Sequence, residues 1–267
     1  MLVQIYEIQT PVEAQLMLDL GVDHIGSVLL SERTWRDEAI LQTVRLVQAG
    51  GRKSSLIPLF QDVDLISRAI EFYRPDIIHF CEALGTQWAG ESTILTTLAR
   101  QKEIRQRFPD LAIMRSVPIV VSGSGSRLPS LEVAARFEPY SDWFLTDTVL
   151  MNHGQHASEK DQPVAGYVGI TGKTCDWQVA RELVARSRIP VILAGGIGPL
   201  NVTDGITAVE PAGVDSCTQT NATDDQGRPI RFKKDVEKVR KLVQLARAAH
   251  VKITSGPRSS ASRGSVA

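Results

Sequence analysis

The residues best suited to chemistry in this chain stand at the ends of short apolar runs. Asp142-Trp-Phe-Leu-Thr-Asp-Thr148 is one such run, and Asp147 falls at its close. A carboxyl group at the end of a buried strand can carry a raised pKa and then transfer protons near neutrality. Its competing role is to cap a helix or to pair with a nearby base such as Lys173. Gln4-Ile-Tyr-Glu7 ends the first apolar run and supplies a second carboxylate, Glu7, which either completes an acid–base pair or lies solvated in a loop. Cys81 closes a fourth run, as a reactive thiol or as a small buried hydrophobe.

Two glycine-rich stretches accompany these groups. Val168-Gly-Ile-Thr-Gly-Lys-Thr-Cys-Asp-Trp177 lets the backbone pass close to a ligand, and Asp176 or Thr174 then caps a helix starting near Trp177. Gly172-Lys-Thr174 mimics the end of a P-loop, but that motif needs a glycine five positions earlier, where Tyr167 stands. Ile189-Pro-Val-Ile-Leu-Ala-Gly-Gly196 ends in Gly195 and Gly196, with a helix expected near Pro199. Backbone N–H groups beside a helix start suit a phosphate; the plainer reading is a turn that needs glycine. His153-Gly-Gln-His156 lacks further ligands nearby and reads as a solvated loop. No metal and no cofactor is expected.

Eight strand–helix pairs position these groups. The strands read as Leu2–Tyr6, Asp23–Leu30, Ser54–Phe60, Asp76–Cys81, Ala112–Val121, Trp143–Asp147, Val191–Ala194 and Gly213–Cys217. Helices follow from Thr10-Pro11, Asp37, Asp64, Glu91, Ser130, Asp176, Asn201 and Asp235. Eight such repeats predict a single-domain (β/α)8 TIM barrel over residues 1–250, with a doubly wound open sheet as the alternative. A long polar excursion, Met151 to Gln162, interrupts the sixth unit, and a glycine–serine turn, Ser122 to Ser126, the fifth. The Ser/Gly/Arg-rich end, 251–267, is expected to be disordered. In a barrel the active groups gather at the carboxyl ends of the strands.

The 267 residues are 43% hydrophobic, enough for a sizeable core, and thirty basic residues balance thirty acidic ones. No global field favours nucleic acid or an anionic membrane, and no apolar run spans a bilayer. Met1 leads straight into a strand without a visible secretory signal. Three scattered cysteines fit a reducing compartment, and the cytoplasm is the expected address.

Taken together, the motifs resemble the phosphoribosylanthranilate isomerase family of tryptophan biosynthesis. The resemblance is densest at Thr171-Gly-Lys-Thr-Cys-Asp-Trp177, Leu145-Thr-Asp-Thr148 and Ile192-Leu-Ala-Gly-Gly-Ile-Gly-Pro-Leu-Asn-Val202. Gly21-Val-Asp-His-Ile-Gly26, Gly213-Val-Asp215 and Lys234-Asp235 also fit. It implies an Amadori rearrangement of an aminoaldose to an aminoketose, with Asp147 as general acid and a small phosphorylated metabolite as partner. Gly172, Lys173, Gly195, Gly196 and Thr218 are then the expected substrate and phosphate contacts. The departures matter as much. Tyr6 occupies the place of the family's catalytic cysteine and Glu7 that of the following glycine, which leaves Glu7 or Cys81 to serve as base. His79-Phe-Cys-Glu82 replaces Gln-Leu-His-Gly, Cys217-Thr-Gln219 replaces Ser-Ser-Gly, and the arginine after the second strand aligns with Trp35, between Arg33 and Arg36. The second expectation is therefore a catalytically silent barrel that binds a metabolite or a partner.

Overall fold

The computed structural model describes residues 1–84, 90–123, 128–150, 164 and 166–255, excepting the side chains of 252–255. The excursion at 151–162 with His153 and His156, most of the glycine–serine turn, and the chain from 256 onward lie outside the described residues.

Strands β1 (Leu2–Ile5), β2 (His24–Leu29), β3 (Lys53–Pro58), β4 (Ile77–Phe80), β5 (Ala112–Val120), β6 (Trp143–Val149), β7 (Val191–Leu193) and β8 (Gly213–Ser216) form one closed parallel barrel. The closing seam pairs Leu2 with Gly213 through Ile5 with Ser216, which excludes the open sheet. Helices α1 (Pro11–Asp19), α2 (Glu38–Ala49), α3 (Val63–Tyr73), α4 (Glu91–Arg107), α5 (Ser130–Phe137), α6 (Trp177–Arg186), α7 (Val202–Val209) and α8 (Val236–Ser255) surround it. This is a (β/α)8 TIM barrel. Among the described residues no helix is long and apolar enough to cross a membrane.

Two apolar layers follow from the strand alternation. Val3, Ile5, Ile25, Leu193 and Val214 point outward and pack with Met17, Ile206, Val239 and Leu242 of the helices. Tyr6, Val28, Ile57, Met114, Leu145 and Ile192 belong to the inner cluster. The helix starts are set by capping: Thr10 accepts from the Glu13 N–H (3.3 Å), and Asp176 from those of Gln178 (2.8 Å) and Val179 (3.3 Å). Asp176 rather than Thr174 is thus the cap.

Three boundaries refine the expectation. Helix α7 begins at Val202, beside the expected start at Asn201 and past the alternative near Pro199, because Asn201 Oδ1 accepts from the Gly198 N–H (2.9 Å) and holds that segment as a turn. Helix α8 continues through Ser255, past the expected limit of 250; the first helix-stopping pair is Gly256-Pro257. A hairpin of β9 (Asn221–Thr223) and β10 (Pro229–Lys234), unforeseen in the sequence, stands between β8 and α8. Its register is irregular between Pro229 and Lys234, and Phe232 takes φ +59° there. Such a bulge releases side chains from the ladder and re-aims them.

One close approach holds the upper barrel. A Cβ on Gly26 would lie 2.1 Å from both Tyr6 Cδ1 and Cε1, so β2 yields its side chain to the Tyr6 ring. We expect Gly26→Ala to cost about 1–3 kcal/mol by overpacking. Urea denaturation should show that cost, and it should shrink in a Tyr6→Ala background. Equal costs in both backgrounds would count against the contact.

Candidate functional site

The carboxyl ends of the strands surround a cleft lined by Tyr6, Glu7, Val28, Ile57, His79, Cys81, Leu145, Asp147, Gly195, Gly196, Asp215, Cys217 and Thr218. Its cavity volume is about 70 Å³. Residues 166–172 roof it. That segment pairs with the end of β4: Val168 N–H donates to Cys81 O (2.9 Å), and Ala83 N–H to Gly166 O (3.0 Å). Its far end is tied to β5, where Asp176 N–H donates to Val120 O (2.9 Å).

Asp147 sits at the end of β6 and keeps a little surface in the cleft, yet its carboxyl group is desolvated by what crowds it. A Cβ on Gly169, at φ +100°, would fall 2.4 Å from Asp147 Oδ2, so only glycine lets the roof descend onto the acid. Burial pushes the Asp147 pKa up to about 7, and the hydrogen bond donated by Thr148 N–H (2.9 Å) opposes the rise. Lys173 is exposed and lines no part of the cleft; its carbonyl accepts from Thr148 Oγ1 (2.7 Å). The alternative of an Asp147–Lys173 pair is not observed.

A second acid was not singled out from the sequence as a site residue. Asp215 on β8 is buried, accepts from Gln4 Nε2 (3.1 Å), and is likewise pushed up to about 7 by burial. Asp147 adds to that rise, and Lys234 opposes it. The only signal was its place in Gly213-Val-Asp215, within an apolar run.

Glu7 is 1% exposed and adopts φ +64°, a left-handed conformation uncommon for a non-glycine residue. Arg231 of the hairpin donates to Glu7 Oε1 from Nε (2.8 Å) and Nη2 (2.5 Å). Its guanidinium also stacks 4.7 Å from the centroid of the Phe232 ring. The other carboxylate oxygen, Oε2, is buried without a hydrogen-bond partner. Glu7 is therefore not a solvated loop residue. Its partner comes from the bulged hairpin, 224 positions away, and no local pattern announced it.

Tyr6 is fixed differently. Its hydroxyl hydrogen-bonds Ser55 Oγ (2.5 Å) and His79 Nδ1 (2.7 Å), and His79 Nε2 continues to Ser116 Oγ (2.9 Å). Burial raises the phenol pKa well above its usual 10 and drops His79 to about 3, Arg115 adding to the fall. Cys81 is buried, and burial with the Glu82 and Asp147 charges pushes its thiol well up, away from the thiolate a base would need. Glu82 itself is held by Arg115 and Arg100.

Gly195 (φ +84°) and Gly196 (φ +64°) are required sterically: a Cβ would fall 2.2 Å from Thr148 Oγ1 and 2.6 Å from the Lys173 carbonyl carbon, respectively. Among the described residues, their N–H groups and those of Thr218 and Gln219 meet no hydrogen-bond acceptor. Thr218 Oγ1 is also buried and unpartnered. A neighbouring cavity of about 570 Å³ shares Gly172, Gly196 and Gln219 with the cleft and adds Lys238 and Lys241 of α8. The structure thus gathers every expected site residue except the Lys173 side chain into one cleft.

Comparison with known proteins decides the family. A chain from Methanosarcina mazei named N-(5'-phosphoribosyl)anthranilate isomerase 2 is 32% identical over 173 residues, covering 62% of this chain and 67% of that one. The chain belongs to the phosphoribosylanthranilate isomerase family. The family model described as N-(5'phosphoribosyl)anthranilate (PRA) isomerase matches residues 157–245. A Roseiflexus castenholzii isomerase of the same name is 29% identical across 93% of this chain and 99% of its own. The match to a Methanocella arvoryzae relative, at 32% identity, spans about half of each chain, 55%. Among solved structures, the Thermotoga maritima enzyme superposes with a TM-score of 0.62 at 19% identity, covering 92% of this chain and 98% of its own. A family structure in complex with reduced 1-(o-carboxyphenylamino)-1-deoxyribulose 5-phosphate gives 0.61 at 17%, with the same coverage.

The titrating groups make a stability prediction. Asp147 and Asp215 have folded pKa values of about 7 against about 3.9 unfolded, so the native chain holds more protons between those values. Their contribution is full below about pH 4 and is lost as pH rises through 7. His24, lowered to about 4 by burial, and His79, lowered to about 3, act oppositely and lose stability as pH falls below about 6.5. Asp147→Asn should therefore gain on the wild type with rising pH, melting on the order of 5 °C higher at pH 8 and near parity at pH 4. Thermal unfolding across that range checks this; a constant difference would refute it.

Proposed function

We propose that this chain isomerises a phosphorylated aminoaldose to the corresponding aminoketose. One observation carries the reading: Asp147, raised to about 7, and Glu7, paired with Arg231, line the same cleft as the unanswered N–H groups of Gly195 and Gly196. Those N–H groups, with the Thr218 hydroxyl, suit the phosphate. Asp147 delivers its proton to the ring oxygen as the C1–O bond breaks and the nitrogen lone pair forms a C=N bond. Glu7 Oε2 then takes the proton from C2, giving an enaminol. The protonated Glu7 then returns a proton to C1 as the C2 hydroxyl gives its proton to Asp147 and C2 becomes the ketone, which restores both carboxyl groups without a co-reactant. Arg231 holds the Glu7 side chain in place through Oε1 and leaves Oε2 without a partner. The Tyr6 phenol, far above its usual range, has no part in proton transfer. Three unpaired cysteines fit action in the cytoplasm.

The second reading is a silent binding barrel. Tyr6, standing where the family carries its thiol, and the small cavity of about 70 Å³ favour it.

The test follows C2–H exchange and ketose formation by NMR in D2O, using ribose 5-phosphate adducts of ammonia, methylamine and anthranilate. Asp147→Asn and Glu7→Gln should each lower kcat/KM by about 10²–10⁴. Wild-type kcat should fall as pH rises above about 7, where Asp147 loses its proton, and Asp147→Asn should remove that limb. Turnover indifferent to Glu7→Gln would reject its role. No exchange with any adduct would favour the silent barrel.

A further inference from the structure

Tyr6 is fixed by more contacts than a bystander needs. It is 4% exposed, its ring lies against Gly26, and its hydroxyl is held by Ser55 and His79. Those partners sit on β3 and β4, across the barrel from β7 and β8, whose ends carry Gly195, Gly196 and Thr218. A phosphorylated sugar anchored on the glycine side, with its reacting carbons between Asp147 and Glu7, points the substituent on its C1 nitrogen towards β3 and β4. There the Tyr6 ring stands with Val28 and Ile57, and the whole cleft, from these residues to Gly195 and Gly196, keeps only about 70 Å³, which a substituent must share with the sugar. Space on the glycine side is ample, since the adjoining cavity of about 570 Å³ begins at Gly196.

We infer that Tyr6 is a specificity-determining residue that limits the substrate to a small or absent substituent on the amine and excludes an aryl group. This rests on the isomerase reading for the orientation of the sugar. The hydroxyl matters as an anchor and the ring as the obstacle. Rotation of the ring out of the barrel would forfeit both hydrogen bonds and leave Ser55 and His79 buried without them.

The experiment compares the wild type, Tyr6→Phe and Tyr6→Ala. Turnover is measured on ribose 5-phosphate adducts of methylamine and of anthranilate. Affinity is measured by calorimetry for ribose 5-phosphate and for reduced 1-(o-carboxyphenylamino)-1-deoxyribulose 5-phosphate, neither of which needs catalysis. The wild type should favour the small adduct and the small ligand, and Tyr6→Phe, its ring without the hydroxyl anchor, should keep that preference more weakly. Tyr6→Ala should shift both ratios towards the aryl compound by about tenfold or more. A wild type that prefers the aryl compound, or a ratio unmoved by Tyr6→Ala, overturns the inference. If no variant turns over any adduct, the isomerase reading fails, and the affinity ratios still decide the role of Tyr6.

Discussion

A carboxylate with 1% of its surface exposed must be neutralised where it lies, and Glu7 is neutralised by a residue 224 positions away. Removing Arg231 would leave the Glu7 carboxylate buried with neither oxygen paired. The hairpin β9–β10 is therefore fastened to the barrel mouth by its bulged strand. Lys234, at the end of the same strand, donates to Cys217 O (2.9 Å) and to Asn221 Oδ1 (2.5 Å), fixing the turn after β8. Arg231 and Lys234 together set two sides of the cleft. The bulge lets one short strand serve both.

The remaining charge problem is solved by protonation rather than pairing. Asp147 and Asp215 share the cleft, and each is pushed to about 7 chiefly by loss of water. Two neighbouring acids that resist ionisation hold a reserve of protons at neutral pH, the state in which a carboxylic acid can donate. Gln4 extends this layer inward, donating to Asp215 from Nε2 while its Oε1 meets His24 Nδ1 (3.1 Å). Polar and apolar side chains share the interior strands: Ser55 and Ile57 on β3, and Leu145 and Asp147 on β6, all face inward.

The barrel was legible because each unit repeats an apolar strand followed by a helix, several of whose starts carry a capping side chain. Thr10, Asp37 and Asp176 all cap as their side chains suggest. The cleft membership of Asp147, Gly195 and Gly196 was legible for a related reason, since strand ends in a parallel barrel converge. Arg231 was not, because its position depends on a bulge and on a partner at the other end of the chain. Asp215 was hidden by company: one acid between apolar neighbours looks like any strand residue until its water is removed. Lys173 shows another limit: its side chain is exposed, and its backbone does the structural work by accepting from Thr148.

The glycines of the rim and the Tyr6–Glu7 pair answer to different constraints. Gly169, Gly195 and Gly196 are held by backbone and side-chain atoms that would collide with any Cβ, so the descent of the 166–172 segment onto Asp147 depends on them. Tyr6 and Glu7 are bound by a second set of accommodations: Gly26 for the ring, Ser55 and His79 for the hydroxyl, Arg231 for the carboxylate. The second set spans β1 to β4 and the β9–β10 hairpin; the first spans β6 and the segments after β6 and β7. A substitution at Tyr6 alone would leave two polar partners and a gap behind, so the β1–β4 half behaves as a unit. The glycine side can keep its geometry while the β1–β4 half answers to its own contacts.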